Sequence, residues 1–218
     1  MAGTNPMSIV YYIGYASVDS TFVYYPHDGC KKILTEPGTE IVVLNDKKIN
    51  DYKKVMINGI VCWAKEDKIL KHKPTYKEYF VSENGKKAYM DWECITVTSS
   101  DQYKLQTQAY TDSHTGIRMV NGRYCIAIGQ FFCTKIGTKI DLITDDGNII
   151  RCILGDCKAN CDTNITNMYA HDGSVSEFIV NTSSLLPKSR NTGDVSYSSD
   201  ELSSRIVRVI VYEESKNE

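Results

Sequence analysis

The chain has 218 residues, of which 42% are hydrophobic and 24% charged, and its formal net charge is −2. This length allows one large or two modest domains, each with its own core, and the composition is ordinary for a globular protein. Nucleic-acid binding requires a basic surface, and a net charge so close to zero gives no indication of one. We therefore expect no nucleic-acid partner.

The N-terminal segment MAGTNPMSIVYYIGYA has no Lys or Arg before its short apolar run and no small-residue cleavage site. It is therefore untypical of a secretory signal peptide, and we expect synthesis in the cytoplasm. No run approaches the ~18 apolar residues that a membrane-spanning helix needs, so we expect no membrane partner.

From Gly14 to Leu70 the sequence predicts about five short strands. The strand-like runs are YASV, TFVYY, TEIVVL, YKKVMI and IVCWA, and the breaks between them are PHDG (26–29), EPG (36–38), NDKKIND (45–51) and Asn58-Gly59. Asn-Gly between two such runs predicts a hairpin, because both residues tolerate the positive φ of a type I′ turn. Short strands joined by tight turns are typical of a small barrel.

Two segments of this region, EPGTEIVVL (36–44) and YKKVMINGIVCWA (52–64), resemble the middle and closing patterns of a bacterial SH3 domain. We therefore expect an SH3-like domain over residues 8–72. The resemblance implies a module that binds peptidoglycan peptides or cross-bridges, or one that serves as a spacer.

The next stretch, KHKPTYKEYFVSENGKK (71–87), is charged and has no clean periodicity, which predicts a linker over residues 73–87. A second domain is expected over residues 88–214. Within it, SSDQYKLQTQAY (99–110) predicts one short helix, with Ser100 or Asp101 at its N-terminus.

The most informative part of the chain combines short β-branched runs with glycine turns and nearby carboxylates. Its segments are GRYCIAIGQFFCTKIGTKIDLI (122–143), RCILGDCKANCDTN (151–164) and HDGSVSEFIV (171–180). As a whole, this pattern resembles the double-psi β-barrel of the three-aspartate type, as in lytic transglycosylases and the rare-lipoprotein-A group. The expected fold is all-β: a small SH3-like barrel followed by a six-stranded double-psi β-barrel with one short helix.

The resemblance implies a protein directed at peptidoglycan, delivered by a phage or phage-tail-like particle of Firmicutes. Its expected partners are peptidoglycan glycan strands and other phage tail proteins. Three classes compete: a lytic transglycosylase or glycoside hydrolase, a wall-binding module without catalysis, and a structural component of a tail or baseplate.

Glycosidic cleavage needs a carboxylic acid that is still protonated near neutral pH, so its pKa must be raised by burial or by a like charge. An inverting hydrolase adds a second carboxylate at ~6.5–9.5 Å to activate water. A lytic transglycosylase needs only one, because the same residue acts as acid and then as base.

Asp156 is the first candidate for catalysis, because it follows the apolar run Cys152-Ile153-Leu154 and Gly155, which we interpret as a strand end. The resemblance implies an acidic residue at this position, although the family continues Asp-Thr-Gly where this chain has Asp156-Cys157-Lys158. The alternative is that Asp156 only caps a turn.

Glu177 is the second catalytic candidate, in the strand SVSEFIV. Strand alternation puts Val175, Glu177 and Ile179 on one face, and Ser176, Phe178 and Val180 on the other. If Phe178 faces the core, Glu177 is exposed; if Val175 does, Glu177 is a charge in an apolar setting.

Four further residues are candidates for substrate binding: Tyr124, Asp162, His171 and Asp172. Tyr124 matches an aromatic residue near the groove of the family, and the alternative is a packing residue on a half-buried strand. Asp162 begins the Asp-Thr pair of the chain, and His171-Asp172 either line the groove rim or form an ordinary turn.

The eight cysteines do not show the paired spacing of a zinc site, and we expect reduced, buried thiols with no metal and no cofactor. The cysteines are Cys30, Cys62, Cys94, Cys125, Cys133, Cys152, Cys157 and Cys161.

Overall fold

The computed structural model describes residues 12–17, 21–25, 31–35 and 37–213, and most of its regular structure is β-strand. The prediction of an all-β fold is confirmed. The chain divides into two compact units, Met1–Thr75 and Tyr76–Glu213. In the described part, no helix is both long and apolar enough to span a membrane.

The first unit contains a seven-stranded sheet in the order β3-β2-β6-β5-β4-β1-β7. Its strands are β1 (Tyr12–Ala16), β2 (Thr21–Tyr25), β3 (Lys31–Thr35), β4 (Glu40–Ile49), β5 (Tyr52–Ile57), β6 (Ile60–Lys65) and β7 (Ile69–Leu70). The hairpin predicted at Asn58-Gly59 is confirmed: both residues have positive φ, and they join β5 to β6. The break PHDG lies outside the described residues.

One face of this sheet carries a small core, because inward residues alternate with outward ones along each strand. In β5, Lys53, Val55 and Ile57 are buried, while Tyr52 and Lys54 on the other face are half-buried. The buried apolar cluster comprises Ala16, Ile41, Val43, Val55, Ile57, Cys62 and Ala64.

The second unit contains nine strands and both α-helices of the described chain. The strands are β8 (Tyr76–Phe80), β9 (Ala88–Asp91), β10 (Tyr110–Thr111), β11 (Arg118–Val120), β12 (Arg123–Gly129), β13 (Lys139–Thr144), β14 (Ile149–Lys158), β15 (Ser176–Val180) and β16 (Ile206–Tyr212). The helices are α1 (Asp101–Gln108), which was predicted, and α2 (Pro187–Thr192), which was not.

Strand β12 is the centre of this second sheet. The main path runs β10-β11-β12-β14-β13-β16-β8, and β15 pairs with both β12 and β9. The β12–β14 and β15–β9 pairs are parallel, whereas β15 runs antiparallel to β12. Every residue of β12 is buried, as expected for a strand covered on both faces.

The two faces of β12 pack into different clusters. Tyr124, Ile126 and Ile128 belong to the large apolar core of the unit. Cys125, on the opposite face, joins a smaller cluster against which Leu105 of helix α1 packs. Helix α1 therefore covers the face of the sheet opposite to the main core.

The segment 73–87, which we expected to be a linker, lies mostly inside the second unit. Residues 76–80 form β8, which pairs antiparallel with β16 along its whole length. Further on, the Glu83 carboxylate accepts the backbone N–H of Ile206 at 2.8 Å, and Lys87 donates to the carbonyl of Ser204 at 2.6 Å. Burial raises the pKa of Glu83 and lowers the pKa of Lys87. The domain boundary therefore lies about a dozen residues before the expected start of the second domain at Ala88.

Candidate functional site

The two carboxylates predicted to be catalytic lie on one face of the second-unit sheet. Asp156 of β14 and Glu177 of β15 are both registered opposite Ala127 of β12, the strand between them. Residues opposite each other on adjacent strands have side chains on the same face. Asp156, Ala127 and Glu177 therefore form a row across three strands, with a small side chain in the middle.

A bulge at Gly155 puts Asp156 on this face. Leu154 pairs with Ile126, but Ala127 pairs with Asp156, so Gly155 is one extra residue in β14. If β14 paired regularly, without the bulge, Gly155 would lie opposite Ala127 and Asp156 opposite Ile128, and Asp156 would face the apolar core, because a shift of one residue reverses the face of every following side chain. Gly155 thus moves the carboxylate out of the core. Asp156 lies within β14, which continues to Lys158, and not at a strand end as we expected.

Asp156 is half-buried and has two hydrogen-bond donors. Its Oδ1 accepts the backbone N–H of Cys157 at 2.8 Å and the amide Nε2 of Gln102 at 3.4 Å. Gln102 belongs to helix α1, which begins with a cap: Ser100 Oγ accepts the N–H of Tyr103 at 3.1 Å. The capped helix therefore brings an amide donor over the carboxylate.

Glu177 forms an ion pair with Lys158, two residues beyond Asp156 in β14. Lys158 Nζ lies 2.6 Å from Glu177 Oε1, and the lysine side chain is 2% exposed while the glutamate side chain is 30% exposed. Lys158 pairs in register with Gly129, so it shares the face of Asp156 and Glu177. Phe178 faces the core, which makes Glu177 a partly exposed, paired carboxylate.

A loop of residues 159–174 carries the three other polar candidates. It packs tightly on β12, because a Cβ built on Gly129 would overlap the carbonyl oxygen of Asn167. Asp162 is exposed, and its Oδ1 accepts the Cys161 thiol at 3.7 Å. His171 Nε2 lies 2.8 Å from the carbonyl oxygen of Cys161, so this nitrogen is the donor.

Asp172 is held by an ion pair at the end of this loop. Its Oδ2 lies 2.9 Å from Lys86 Nζ, and its Oδ1 accepts both the N–H and the hydroxyl of Ser174. Burial alone would raise the pKa of Asp172, but the hydrogen bonds from Lys86 and Ser174 outweigh it and lower the pKa to about 2. Within the described residues, Asp162, His171 and Asp172 form no hydrogen bond with Asp156 or Glu177.

Tyr124 lies on the opposite face from the two carboxylates. Its ring packs edge-on against Phe178 at a centroid distance of 6.1 Å, inside the main core, and only 8% of the residue is exposed. Burial raises its pKa, and its hydroxyl donates to Glu201. The expectation that Tyr124 lies beside Asp156 and Glu177 is therefore not met: an odd spacing along β12 separates it from Ala127, so alternation turns it to the other side.

The cysteines of the described chain are all free thiols, and Cys30 lies outside the described residues. Three in apolar runs, Cys62, Cys125 and Cys152, are buried as predicted, and burial raises the pKa of Cys62 and of Cys125 to about 11. Cys94 and Cys161 are exposed, which corrects the expectation for them. The described ranges contain no cluster of three or more His, Cys, Asp or Glu side chains that could hold a metal ion.

Sequence reasoning missed Lys158 and Gln102. The signal for Lys158 was its position two residues after Asp156, which places both on one strand face as soon as the bulge at Gly155 is recognised. Gln102 gave no signal, because its contact with Asp156 depends on how helix α1 packs across the sheet.

No family model, no curated protein and no solved structure matches this chain. The site is therefore characterised by its own geometry alone.

Proposed function

We propose that the second unit cleaves the glycan strands of peptidoglycan, with Asp156 as acid and then base and Glu177 in support. The row of Asp156, Ala127 and Glu177 carries the proposal, since it puts two partly accessible carboxyl groups on one face around a small side chain. The resemblance of residues 122–180 to the double-psi barrels of lytic transglycosylases supports the choice of substrate.

The proposed reaction balances without a co-reactant. The protonated Asp156 carboxyl gives its proton to the glycosidic oxygen, and the bond from that oxygen to the anomeric carbon breaks with its electron pair on the oxygen. Positive charge then develops on the sugar ring, where carboxylates such as Glu177 stabilise it. A hydroxyl of the same sugar attacks the anomeric carbon, and its proton returns to Asp156.

The place of action is the bacterial cell wall, reached as part of a phage or phage-tail-like particle. This part of the proposal rests on the resemblance of the sequence alone, as do the other tail proteins as partners.

The substitution Asp156→Asn tests the proposal, because it keeps the shape and removes the acid. We expect it to abolish the loss of turbidity of a suspension of purified cell walls, while the circular dichroism spectrum and the midpoint of urea unfolding stay near wild type. Asp145→Asn, at a carboxylate that is 44% exposed and lies outside the candidate site, is the matched control and should retain lysis. Full lysis by Asp156→Asn would rule the mechanism out.

A wall-binding module is the second candidate function, and a groove on the first unit favours it. The groove has a volume of about 440 Å³ and is lined by Ile49, Asn50, Tyr52 and Trp63. Aromatic and apolar walls with one amide group are typical of sites for small ligands of this size. Ile49 is 61% exposed and forms an accessible apolar part of the groove wall.

A pull-down on insoluble peptidoglycan distinguishes this candidate from a purely structural role. Wild-type protein should sediment with the wall material, and Trp63→Ala should remain in the supernatant. Tyr110→Ala, which removes a half-exposed aromatic ring from the second unit, is the control and should sediment. If all three proteins sediment equally, the groove does not bind the wall material.

A further inference from the structure

A buried lysine, Lys158, lies beneath Glu177 and carries a charge that neither the packing of the sheet nor the proposed proton transfer requires. Lys158 Nζ lies 2.6 Å from Glu177 Oε1, and its side chain is 2% exposed. Burying an ammonium group is unfavourable unless a partner compensates its charge. The contact with Glu177 supplies that compensation for Lys158.

We propose that Lys158 is a positioning residue that holds Glu177 as a carboxylate in a fixed place and leaves Asp156 as the proton donor of the pair. This inference rests on the proposed function. Lys158 acts through Glu177, because with 2% of its side chain exposed it lies too deep to reach a substrate.

Strand geometry supports the assignment of separate roles. Asp156 and Lys158 are two residues apart on the same face of β14, while Glu177 enters the row from β15 on the other side of β12. The ammonium group contacts Glu177, and the donors at Asp156 are instead the neutral amides of Cys157 and Gln102. Glu177 thus faces a full positive charge, and Asp156 faces only the dipoles of neutral amides. Such a difference in environment assigns the roles of acid and supporting carboxylate within a pair.

Other charged groups near Glu177 do not replace this contact. Two of these groups are Asp156, in the same row, and Lys86, which precedes β9. Lys86 Nζ forms an ion pair with Asp172 Oδ2 at 2.9 Å, and it interacts with Glu177 only at longer range. Removal of the Lys158 ammonium group therefore removes the closest compensating charge from Glu177.

The test compares Lys158→Met, Lys158→Arg and a matched control, Lys104→Met, whose lysine is 62% exposed on helix α1. Glutamate labelled with ¹³C at the carboxyl carbon reports protonation directly by NMR, and Glu177→Gln assigns the signal of Glu177. In Lys158→Met we expect the titration midpoint of that signal to rise, because Lys158 Nζ lies 2.6 Å from Glu177 Oε1 and an opposite charge at this distance favours the charged form. Lys158→Arg should restore the midpoint, and Lys104→Met should not move it.

The second measurement is the rate of wall lysis over the same pH range. We expect Lys158→Met to lose about 100-fold at the optimum, as for a misplaced catalytic group, and Lys158→Arg to recover most of the loss. If Lys158→Met does not fold, Lys158→Met/Glu177→Gln replaces it, since it leaves no unpaired charge; its rate should equal that of Glu177→Gln alone.

The outcomes are separable. An unmoved midpoint, a wild-type rate in Lys158→Met, or a double variant slower than Glu177→Gln each overturns the positioning role. A wild-type protein that does not lyse walls, together with a midpoint that moves in Lys158→Met, overturns the proposed function and reduces the ion pair to a structural one.

Discussion

Arg123 and Asp141 form an ion pair inside the second unit, with Nη1 2.9 Å from Oδ1 and each side chain 2% exposed. The same guanidinium group donates to the carbonyl oxygens of Ile140 and Cys152, and Tyr212 donates its hydroxyl to the other oxygen of Asp141 at 2.9 Å. Paired and hydrogen-bonded charges tolerate burial, but removal of one partner leaves the other uncompensated.

We therefore predict that Arg123→Met lowers the free energy of unfolding by about 3–5 kcal/mol. Urea titration followed by tryptophan fluorescence measures the change. The control is Arg205→Met: its pair with Asp145 is half-exposed at 3.6 Å, so it should cost less than about 1 kcal/mol. Equal losses in the two variants would show that the buried pair has no special role.

Asp172 gives a prediction for the pH dependence of stability. Its pKa in the folded protein is about 2, below the ordinary value of 3.8. A carboxylate with a lowered folded pKa contributes stability above its unfolded pKa, and the contribution is lost as pH falls through the folded value. We expect Asp172→Asn to flatten the fall in the thermal midpoint between about pH 4 and pH 2. Asp101→Asn, at a carboxylate that is 76% exposed, should leave the fall unchanged. A fall as steep in Asp172→Asn as in wild type would contradict the assignment.

Two glycines near the site predict different costs for the same substitution. A Cβ at Gly129 would meet the backbone of Asn167, whereas a Cβ at Gly155 would meet the tip of the Ile179 side chain at 2.6 Å. A backbone atom cannot move aside as a side-chain tip can, so Gly129→Ala should cost about 3 kcal/mol and Gly155→Ala about 1 kcal/mol. Urea unfolding checks both values, and the reverse order would contradict the reasoning.

The strands could be predicted from the sequence because their signals are local. Alternation placed Phe178 and Glu177 on opposite faces, and Asn58-Gly59 placed the hairpin of the first unit. Helix α2 was missed although its sequence carries the usual signs, Pro187 at its start and Gly193 with a φ of 68° at its end. Its six residues are too few to show a helical period.

The errors around the site came from relationships that are not local. The bulge at Gly155 is visible only once β14 is paired with β12, and it reverses the face of Asp156. The resemblance implies an aromatic residue near the groove at Tyr124, but Tyr124 and Ala127 are three residues apart in β12, so Tyr124 faces the main core on the other side. The charged composition of segment 76–80 predicts a linker, but the segment forms β8, an edge strand that hydrogen-bonds to a single neighbour, β16.

This last correction leads to a prediction about fragments. Residues 71–75 lie between β7 and β8 and are exposed except for the half-buried Pro74, so trypsin should cut first after Lys71. A fragment of residues 76–218 should unfold cooperatively in urea, because it keeps β8 against β16 together with the buried contacts of Glu83 and Lys87.

A fragment of residues 88–218 is the informative comparison, because it begins where composition alone places the domain start. It lacks β8, the Glu83 carboxylate that accepts the Ile206 N–H, and the Lys87 ammonium that donates to Ser204. The N–H of Ile206, buried in the full chain, then loses its acceptor, and β16 loses one of its two neighbours. We expect this fragment to show no cooperative unfolding transition. If it unfolds at the same urea concentration as the fragment 76–218, the segment 76–87 is dispensable and the boundary belongs at Ala88.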